Sequence, residues 1–210
     1  MNFYFGLRHK NYLLYMFPLK NITVYCGSST GILPEYTSQA KALAKEMVNR
    51  KLGLVYGAGN VGLMGVIADE MLGSKSPVYG IIPQKLVDIE VAHQGCTDLI
   101  VVETMRDRKW LMAEKGDGFI AMPGGIGTLE ELFEIMTLNQ LMYIQKPLAL
   151  YNVSGYYDKL LEFLAHVGAQ GFLKTHQLDS LIVAADPVEL LDKMKAYEPT
   201  GTPDWLQRKK

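Results

Sequence analysis

Cysteine and excess charge are both scarce in this sequence. Its two cysteines, Cys26 and Cys96, lie in no CxxC motif and at no Cys/His spacing typical of metal ligands. Two are also too few for a disulfide framework, so we expect a cytoplasmic protein with no metal site. The formal net charge is -1 over 210 residues, without a long run of one sign. Neither nucleic acid nor a membrane surface is therefore expected as a partner, and a small molecule is favoured.

Long apolar runs are also missing, because glycine, proline or a charged residue interrupts each one within a few residues. No membrane span is predicted. The aromatic-rich start of the chain is broken by Arg8, His9 and Lys10, and it has no h-region or cleavage site of a signal peptide. We expect residues 1–20 to be a poorly ordered N-terminal extension. A misassigned start and an oligomer contact are the alternatives.

The composition is that of a globular protein, with 49% hydrophobic and 20% charged residues. From residue 22 onwards, short apolar runs alternate with amphipathic stretches, which is typical of βαβ units. We predict an α/β, Rossmann-like fold: a doubly wound parallel sheet of about seven strands with helices on both faces. A single domain is expected over residues 21–198, followed by a C-terminal tail over residues 199–210.

The pattern assigns most of the chain to strands or helices. Strands are predicted at residues 22–26, 52–56, 78–82, 99–102, 119–122, 147–151 and 181–184. Helices are predicted at residues 34–50, 63–72, 105–115, 128–142, 156–167 and 187–196, the last with Asp186 as N-cap and Pro187 at its first position. The segment 84–97 has no pattern that assigns it.

Three loops rich in glycine, serine or threonine follow predicted strands, at residues 27–29, 57–62 and 124–128. Ligands of open parallel sheets bind at such strand ends. In the third loop Gly124, Gly125 and Gly127 let the backbone approach an anion, and Thr128 adds a hydroxyl donor. The following helix directs its unpaired N–H groups to the same place. This loop is therefore predicted to bind phosphate.

The glycine patterns taken singly are weak evidence. Glycines after strands are often only requirements of a turn. The third loop lacks the Lys-Ser/Thr of a P-loop, which disfavours nucleoside triphosphate hydrolysis. Residues 57–62 fit GxGxxG, but they follow the second strand, and no acidic residue stands suitably after the next one. A dinucleotide site is therefore not supported.

Charged residues accompany the phosphate loop. Glu130 and Glu131 lie in the first helical turn after it, where they could simply complement the helix dipole. Arg108 and Lys109, on the preceding helix, could supply cations to a phosphate or a carboxylate, or could be ordinary surface residues. The glutamates and the cations together favour a catalytic site.

Two segments carry a resemblance to a known family: MRDRK at residues 105–109 and DGFIAMPGGIGTLEE at residues 117–131. They resemble the Lonely Guy family of cytokinin riboside 5'-monophosphate phosphoribohydrolases, often mislabelled lysine decarboxylases. The likeness extends over residues 22–196. It includes YCGSS at 25–29, VGLMG at 61–65, GIIP at 80–83, KP at 146–147 and GYY at 155–157.

The resemblance implies a purine nucleoside 5'-monophosphate as substrate, cytokinin-type or AMP-like, whose N-glycosidic bond is hydrolysed to free base and ribose 5-phosphate. It implies Glu131 and Arg108 as catalytic residues, because a carboxylate can stabilise an oxocarbenium-like state and position water. It also implies a homodimer, a role in cytokinin biosynthesis, and no metal or redox cofactor.

The same resemblance assigns substrate contacts. The glycines and Thr128 would hold the 5'-phosphate, and Lys109 would aid binding. For His93 two roles stay open: a purely structural one, or support of the residues that contact the substrate. The expected binding residues are Gly27, Ser28, Ser29, Gly57, Gly59, Met64, Glu90, Lys109, Pro123, Gly124, Gly125, Ile126, Gly127, Thr128, Glu130 and Thr137.

The sequence departs from the family pattern at three places: Ala58, the pair Arg106-Asp107 and the pair Leu138-Asn139. These departures bear on substrate preference more than on catalysis. A non-catalytic nucleotide or cofactor carrier of the same superfamily is the alternative function, and the presence of Arg108 and Glu131 favours the enzyme. A pyridoxal-phosphate decarboxylase is disfavoured, because no Schiff-base lysine with an acidic partner for the ring nitrogen is identifiable.

Overall fold

The computed structural model describes residues 19–87 and 92–199. In this part of the chain seven strands form one parallel sheet, in the order β4-β3-β2-β1-β5-β6-β7. The strands are β1 (Asn21–Tyr25), β2 (Gly53–Tyr56), β3 (Val78–Pro83), β4 (Asp98–Val102), β5 (Gly118–Ala121), β6 (Leu148–Tyr151) and β7 (Leu181–Ala184). The helices are α1 (Pro34–Asn49), α2 (Gly62–Gly73), α3 (Gln84–Val87), α4 (Met105–Lys115), α5 (Ile126–Gln140), α6 (Asp158–Ala169), α7 (Thr175–Asp179) and α8 (Pro187–Lys195).

The strand order changes direction at β1, which has β2 on one side and β5 on the other. The β1–β5 register ends with Tyr25 beside Ala121, so the two strands finish at the same level. The chain leaves these neighbouring strand ends towards opposite sides of the sheet, which opens a crevice between the following loops. This crevice is where a doubly wound sheet binds its ligand.

Alternate residues of β1 face two different helix layers, as the two-residue period of a strand requires. Ile22 and Val24 belong to the apolar cluster that contains residues of α1, α2 and α8. Tyr25 belongs to the opposite cluster, with Met112 of α4 and Leu132 of α5. Burial of each such aliphatic or aromatic side chain contributes about 1.5–3 kcal/mol. Both faces of the sheet are therefore covered, and Tyr25 is directed to the α4 and α5 side.

Local capping explains where two of the helices begin. The Asp186 side chain accepts hydrogen bonds from the N–H groups of Val188 and Glu189, and Pro187 occupies the first turn of α8, as predicted. The Thr104 side chain accepts the N–H of Asp107 at the start of α4. That cap sets the first turn of the helix on which Arg108 lies.

The predicted fold class is confirmed, and most element bounds agree within two residues. Helix α5 begins at Ile126, two residues before the predicted Thr128. Its predicted end at Met142 was also late, since Met142 has a positive φ of 58°. Helix α6 begins at Asp158 because Val153–Gly155 forms a 3-10 turn first. Helices α3 and α7 were not predicted, since four and five residues are too few to show a helical period.

The predicted extension and tail lie outside the described residues, except for residues 19, 20 and 199. Of the described helices, none is both long and apolar enough to cross a membrane. Over the same ranges no group of three or more His, Cys, Asp or Glu side chains is arranged to hold a metal ion.

Candidate active site

Three strand-end loops meet at the crevice and are joined by backbone hydrogen bonds. The Gly27 N–H donates to the Pro123 carbonyl at 3.1 Å, which links the loop after β1 to the loop after β5. The Leu63 N–H donates to the Gly27 carbonyl at 3.0 Å, which adds the start of α2. These bonds connect the three loops into one floor at the carboxyl edge of the sheet.

A cavity of about 250 Å³ opens above this floor. Six of the predicted binding residues line it: Gly27, Ser28, Ser29, Pro123, Gly124 and Gly125. Five further lining residues were not predicted: Thr30, Gly31, Tyr36, Leu63 and Tyr156. The GYY match at 155–157 was a signal for Tyr156, whereas nothing in the sequence singles out Tyr36. The cavity is thus built by the first and third predicted loops.

The N-terminus of α5 has the features of an anion site. Gly125 is its N-cap and makes no side-chain capping bond, so the first N–H groups of the helix have no partner from a cap. A Cβ on Gly125 or Gly127 would meet no atom within 4 Å, which shows that the space beside both residues is open. The helix dipole favours a negative charge at this point.

Gly124 and Thr128 are packed together beneath that open space. A Cβ on Gly124 would collide with the Thr128 hydroxyl, so only glycine fits here. The Thr128 side chain is 4% exposed, and over the described ranges its hydroxyl makes no hydrogen bond within the protein. A buried hydroxyl without a partner is costly, so a bound anion would supply the missing acceptor.

Arg108 lies under the second glycine loop. Its Nε donates to the Ile81 carbonyl at 3.2 Å and its Nη2 to the Gly57 carbonyl at 3.1 Å. The residue is 8% exposed, and no carboxylate of the described ranges forms a salt bridge with it. Two backbone carbonyls thus hold the buried guanidinium in one orientation.

Glu131 is a partly buried acid on the second turn of α5, and not on the first turn as predicted, because the helix begins at Ile126. Burial raises the pKa of its carboxyl group to about 7, and the positive charge of Arg108 opposes that rise. In the described part of the chain its carboxylate has no hydrogen-bond donor. A carboxyl group with a pKa near 7 can exchange protons at physiological pH, which suits general acid–base chemistry.

Tyr25, at the end of β1, is a neighbour of Glu131 to which the sequence pattern gave no role. Burial raises the pKa of Tyr25 well above its ordinary value, and the charge of Glu131 raises it further. Its ring stacks on Phe119 with centroids 6.2 Å apart. The neutral phenol therefore lies close enough to Glu131 for its pKa to respond to the charge of the carboxylate.

Lys109 and Glu130 pair with each other. The Lys109 ammonium donates to Glu130 and lies 3.3 Å from a carboxylate oxygen of Glu134. The Glu130 carboxylate raises the pKa of Lys109. Because two carboxylates already surround this ammonium, a substrate anion would have to compete with them.

The other predicted residues lie at several places around the crevice. Gly57 and Gly59 leave room for side chains of the protein itself. A Cβ on Gly57 would collide with Arg108, and a Cβ on Gly59 would lie 2.7 Å from Met64 Cε. Ile126 is 81% exposed beside the cavity. The Thr137 hydroxyl donates to the Phe133 carbonyl at 2.8 Å, further along α5 and away from the cavity lining. Glu90 lies outside the described residues.

His93 has structural contacts. Its Nε2 is 2.9 Å from Asp69 Oδ1 on α2, and its Nδ1 accepts the Gly95 N–H. Its own backbone N–H donates to the Ala58 carbonyl. These bonds attach the segment after residue 91 to the second glycine loop, so His93 supports the loop from outside.

The chain matches one family model and several curated proteins. The model described as "possible lysine decarboxylase" matches residues 64–194. A cytokinin riboside 5'-monophosphate phosphoribohydrolase of Arabidopsis thaliana is 43% identical over 182 residues, which are 87% of this chain and 80% of that protein. An enzyme of the same name from Rhodococcoides fascians is 43% identical over 168 residues, covering 80% of this chain and 85% of its own.

Solved structures with the same fold include a molybdenum cofactor binding protein from Rippkaea orientalis, with a TM-score of 0.64 and 21% identity. It matches 85% of this chain and 96% of its own. A molybdenum cofactor carrier protein from Chlamydomonas reinhardtii has a TM-score of 0.65 and 17% identity, over 85% and 97% of the two chains. At such identities these matches show the fold alone.

Proposed function

Because this chain belongs to the family of cytokinin riboside 5'-monophosphate phosphoribohydrolases, whose family model is described as possible lysine decarboxylase, we propose that it hydrolyses purine nucleoside 5'-monophosphates. The products are the free base and ribose 5-phosphate. The observation that carries this proposal is the position of Glu131, partly buried near Arg108 and one helical turn past the anion site at the start of α5.

The phosphate group of the substrate would bind to groups that carry no formal charge. The N–H groups at the start of α5, the open space beside Gly125 and Gly127, and the Thr128 hydroxyl suit a 5'-phosphate. Thr128 and Glu131 are three residues apart, about 4.5 Å along the helix axis. A nucleotide held by its phosphate would therefore present its ribose towards Glu131.

The carboxylate of Glu131 would then act at the glycosidic carbon. As the bond between that carbon and the base nitrogen breaks, positive charge develops on the ribose, and the negative carboxylate stabilises it. Water adds to the carbon and gives one proton to Glu131, while the departing base takes up one proton from the solvent. Glu131 then releases its proton to the solvent, so that one water molecule is consumed overall. The positive charge of Arg108 opposes the effect of burial on the pKa of Glu131, so that part of the carboxyl population stays ionised at neutral pH.

A non-catalytic carrier is the alternative function. The structural likeness to molybdenum cofactor proteins does not favour it, because that likeness shows only the fold. A carrier also has no use for a desolvated carboxyl group with a pKa near 7, since placing it there costs stability. Glu131 therefore favours the enzyme.

The expected homodimer is part of the proposal. Large apolar side chains are exposed on the two helices that carry the charged site residues: Met105 and Trp110 on α4, and Phe133 on α5. Trp110 is 56% exposed, an unusual state for so large an apolar group. A second copy of the chain would cover these side chains. The free thiols Cys26 and Cys96 suit the reducing cytoplasm as location.

The decisive experiment incubates the purified protein with AMP and with an N6-isopentenyl derivative of AMP. We expect chromatography to show free base and ribose 5-phosphate in equal amounts. Glu131→Gln and Arg108→Ala should abolish turnover, whereas Glu162→Gln, an exposed glutamate on α6, should not change it. If the wild-type protein binds the monophosphates but releases no base, the carrier function replaces the enzyme.

A further inference from the structure

Three consecutive backbone carbonyls lead into the anion site, and each accepts a hydrogen bond. The Tyr157 hydroxyl donates to the Met122 carbonyl at 2.6 Å, and the Gly27 N–H donates to the Pro123 carbonyl at 3.1 Å. The Tyr156 hydroxyl donates to the Gly124 carbonyl at 2.5 Å. Carbonyl oxygens that are engaged in this way are directed towards their donors.

The last of these bonds determines the direction of an N–H group as well. A trans peptide is planar, so the Gly124 carbonyl and the Gly125 N–H point in opposite directions. When Tyr156 holds the oxygen, the Gly125 N–H is oriented too. Two adjacent glycines have wide conformational freedom, and without such a bond this peptide could rotate. The tyrosine hydroxyl thus restricts the most flexible peptide of the loop.

Both tyrosines are held firmly. The Tyr157 N–H donates to Asn152 Oδ1 at 2.7 Å, and the Asn152 side chain also donates to Asp158 at 2.7 Å. Tyr157 is buried. The Tyr156 ring packs edge-to-face against Tyr157, at a centroid distance of 5.0 Å, and against Tyr36, at 5.8 Å. The Tyr156 hydroxyl therefore has a defined position relative to the loop.

We infer that Tyr156 is a positioning residue for phosphate binding: its hydroxyl holds the Gly124–Gly125 peptide with the Gly125 N–H directed at the phosphate. Tyr157 and the Gly27 N–H hold the two preceding carbonyls in the same manner. The identity of the phosphate as the 5'-phosphate of a nucleotide rests on the proposed function. The orientation of the peptide does not.

The size of the effect follows from the usual worth of one hydrogen bond. Its net contribution corresponds to about a threefold to tenfold change in an equilibrium constant. Tyr156→Phe removes only the hydroxyl and keeps the ring packed against Tyr36 and Tyr157. We therefore expect the dissociation constant for phosphate-bearing ligands to rise by about threefold to tenfold, with the fold intact.

The test measures binding without turnover. Ribose 5-phosphate and inorganic phosphate are titrated by calorimetry into the wild-type protein, Tyr156→Phe and the control Tyr151→Phe. Tyr151 is buried, and its hydroxyl donates to Gln39 of α1, away from the phosphate loop. Both ligands should bind Tyr156→Phe more weakly by the same factor, and Tyr151→Phe like the wild type. Equal affinities for the wild type and Tyr156→Phe would overturn the inference.

Steady-state kinetics with AMP provide a second readout. In Tyr156→Phe we expect the KM to rise by the same factor and kcat to stay within about twofold, because the hydroxyl acts on phosphate binding alone. A fall in kcat with unchanged ribose 5-phosphate affinity would overturn the inference. So would a loss of affinity in Tyr156→Ala that is absent in Tyr156→Phe, since the ring would then be responsible. If AMP is not hydrolysed at all, the proposed function fails, and the titrations still decide the role of Tyr156.

Discussion

Arg108 occupies the place where a side chain on Gly57 would stand. The Nη2 atom of Arg108 donates to the Gly57 carbonyl at 3.1 Å, and a Cβ built on Gly57 would collide with that nitrogen. The two residues are 51 positions apart in the chain. Gly57, the first glycine of the GxGxxG pattern, therefore leaves the space that the buried guanidinium of Arg108 occupies.

Gly57→Ala should displace that guanidinium and weaken its bonds to the Gly57 and Ile81 carbonyls. Hydrogen bonds from a charged donor are worth about 1.5–3 kcal/mol each, so we expect kcat for AMP hydrolysis to fall by at least about tenfold. Gly73→Ala is the matched control, because a Cβ at Gly73 meets no atom within 4 Å. Unchanged kcat in Gly57→Ala would show that the position of Arg108 does not matter for turnover.

The activity should depend on pH through Glu131. Its pKa is about 7 in the protein, and the proposed chemistry needs the ionised form. Lowering the pH through 7 protonates the carboxylate, so kcat/KM should decrease about tenfold for each pH unit below 7. The measurement is a profile of kcat/KM from about pH 5 to 9. A profile that stays flat down to pH 5 would contradict this role for Glu131.

Glu131 should also make the folded protein less stable at higher pH. Because its folded pKa is raised from 4.5 to about 7, its contribution to stability is full below pH 4.5 and is lost as the pH rises to 7. The loss is at most about 3 kcal/mol. Glu131→Gln carries no such charge, so at pH 8 its Tm should exceed that of the wild type by roughly 5 °C or more.

The same comparison at pH 5 provides the control for this stability difference. Wild-type Glu131 is protonated there in the folded state and most of the stability loss has not yet occurred, so the difference between the two melting temperatures should be much smaller than at pH 8. Glu162→Gln, which changes an exposed glutamate, should melt like the wild type at both pH values. A Tm difference of equal size at pH 5 and pH 8 would mean that packing, and not the charge, is responsible.

Gly125→Ala should impair phosphate binding without unfolding the loop. Its backbone is extended, with a negative φ of -87°, and no protein atom lies within 4 Å of the added Cβ. The methyl group would stand in the space beside the anion site. We expect the KM for AMP to rise at least about tenfold and the Tm to stay within a few degrees of the wild type. A normal KM would place the phosphate elsewhere.

The fold, and the glycine-rich loop that we propose as the anion site, could be predicted because local patterns determine them. In β1 the apolar residues Ile22 and Val24 are two positions apart, which is the period of a strand. In α5 the apolar residues are three to four positions apart, which is the period of a helix. Both periods can be recognised from residues that are close in the chain. The Asp186-Pro187 start of α8 and the glycine-rich loop at Gly124 depend on the preferences of the residues themselves. The same local reasoning missed α3 and α7, because helices of four and five residues are too short to show a helical period.

The partners of the site residues could not be predicted in this way. Tyr156 reaches the Gly124 carbonyl 32 positions away, and Lys109 reaches Glu130 21 positions away. Which side chains meet depends on the strand order around β1 and on the side of the sheet to which each helix crosses.

The sequence by itself therefore determined the alternation of strands and helices, and it provided the glycine-rich loop at residues 124–128 as a candidate anion site and Arg108 and Glu131 as candidates for catalysis. Only the tertiary structure decided that Gly57 seats Arg108, that Lys109 is paired with Glu130, and that burial gives Glu131 a pKa near 7. The physical reason is that propensity acts between neighbours in the chain, whereas burial, close approach and charge depend on neighbours in space.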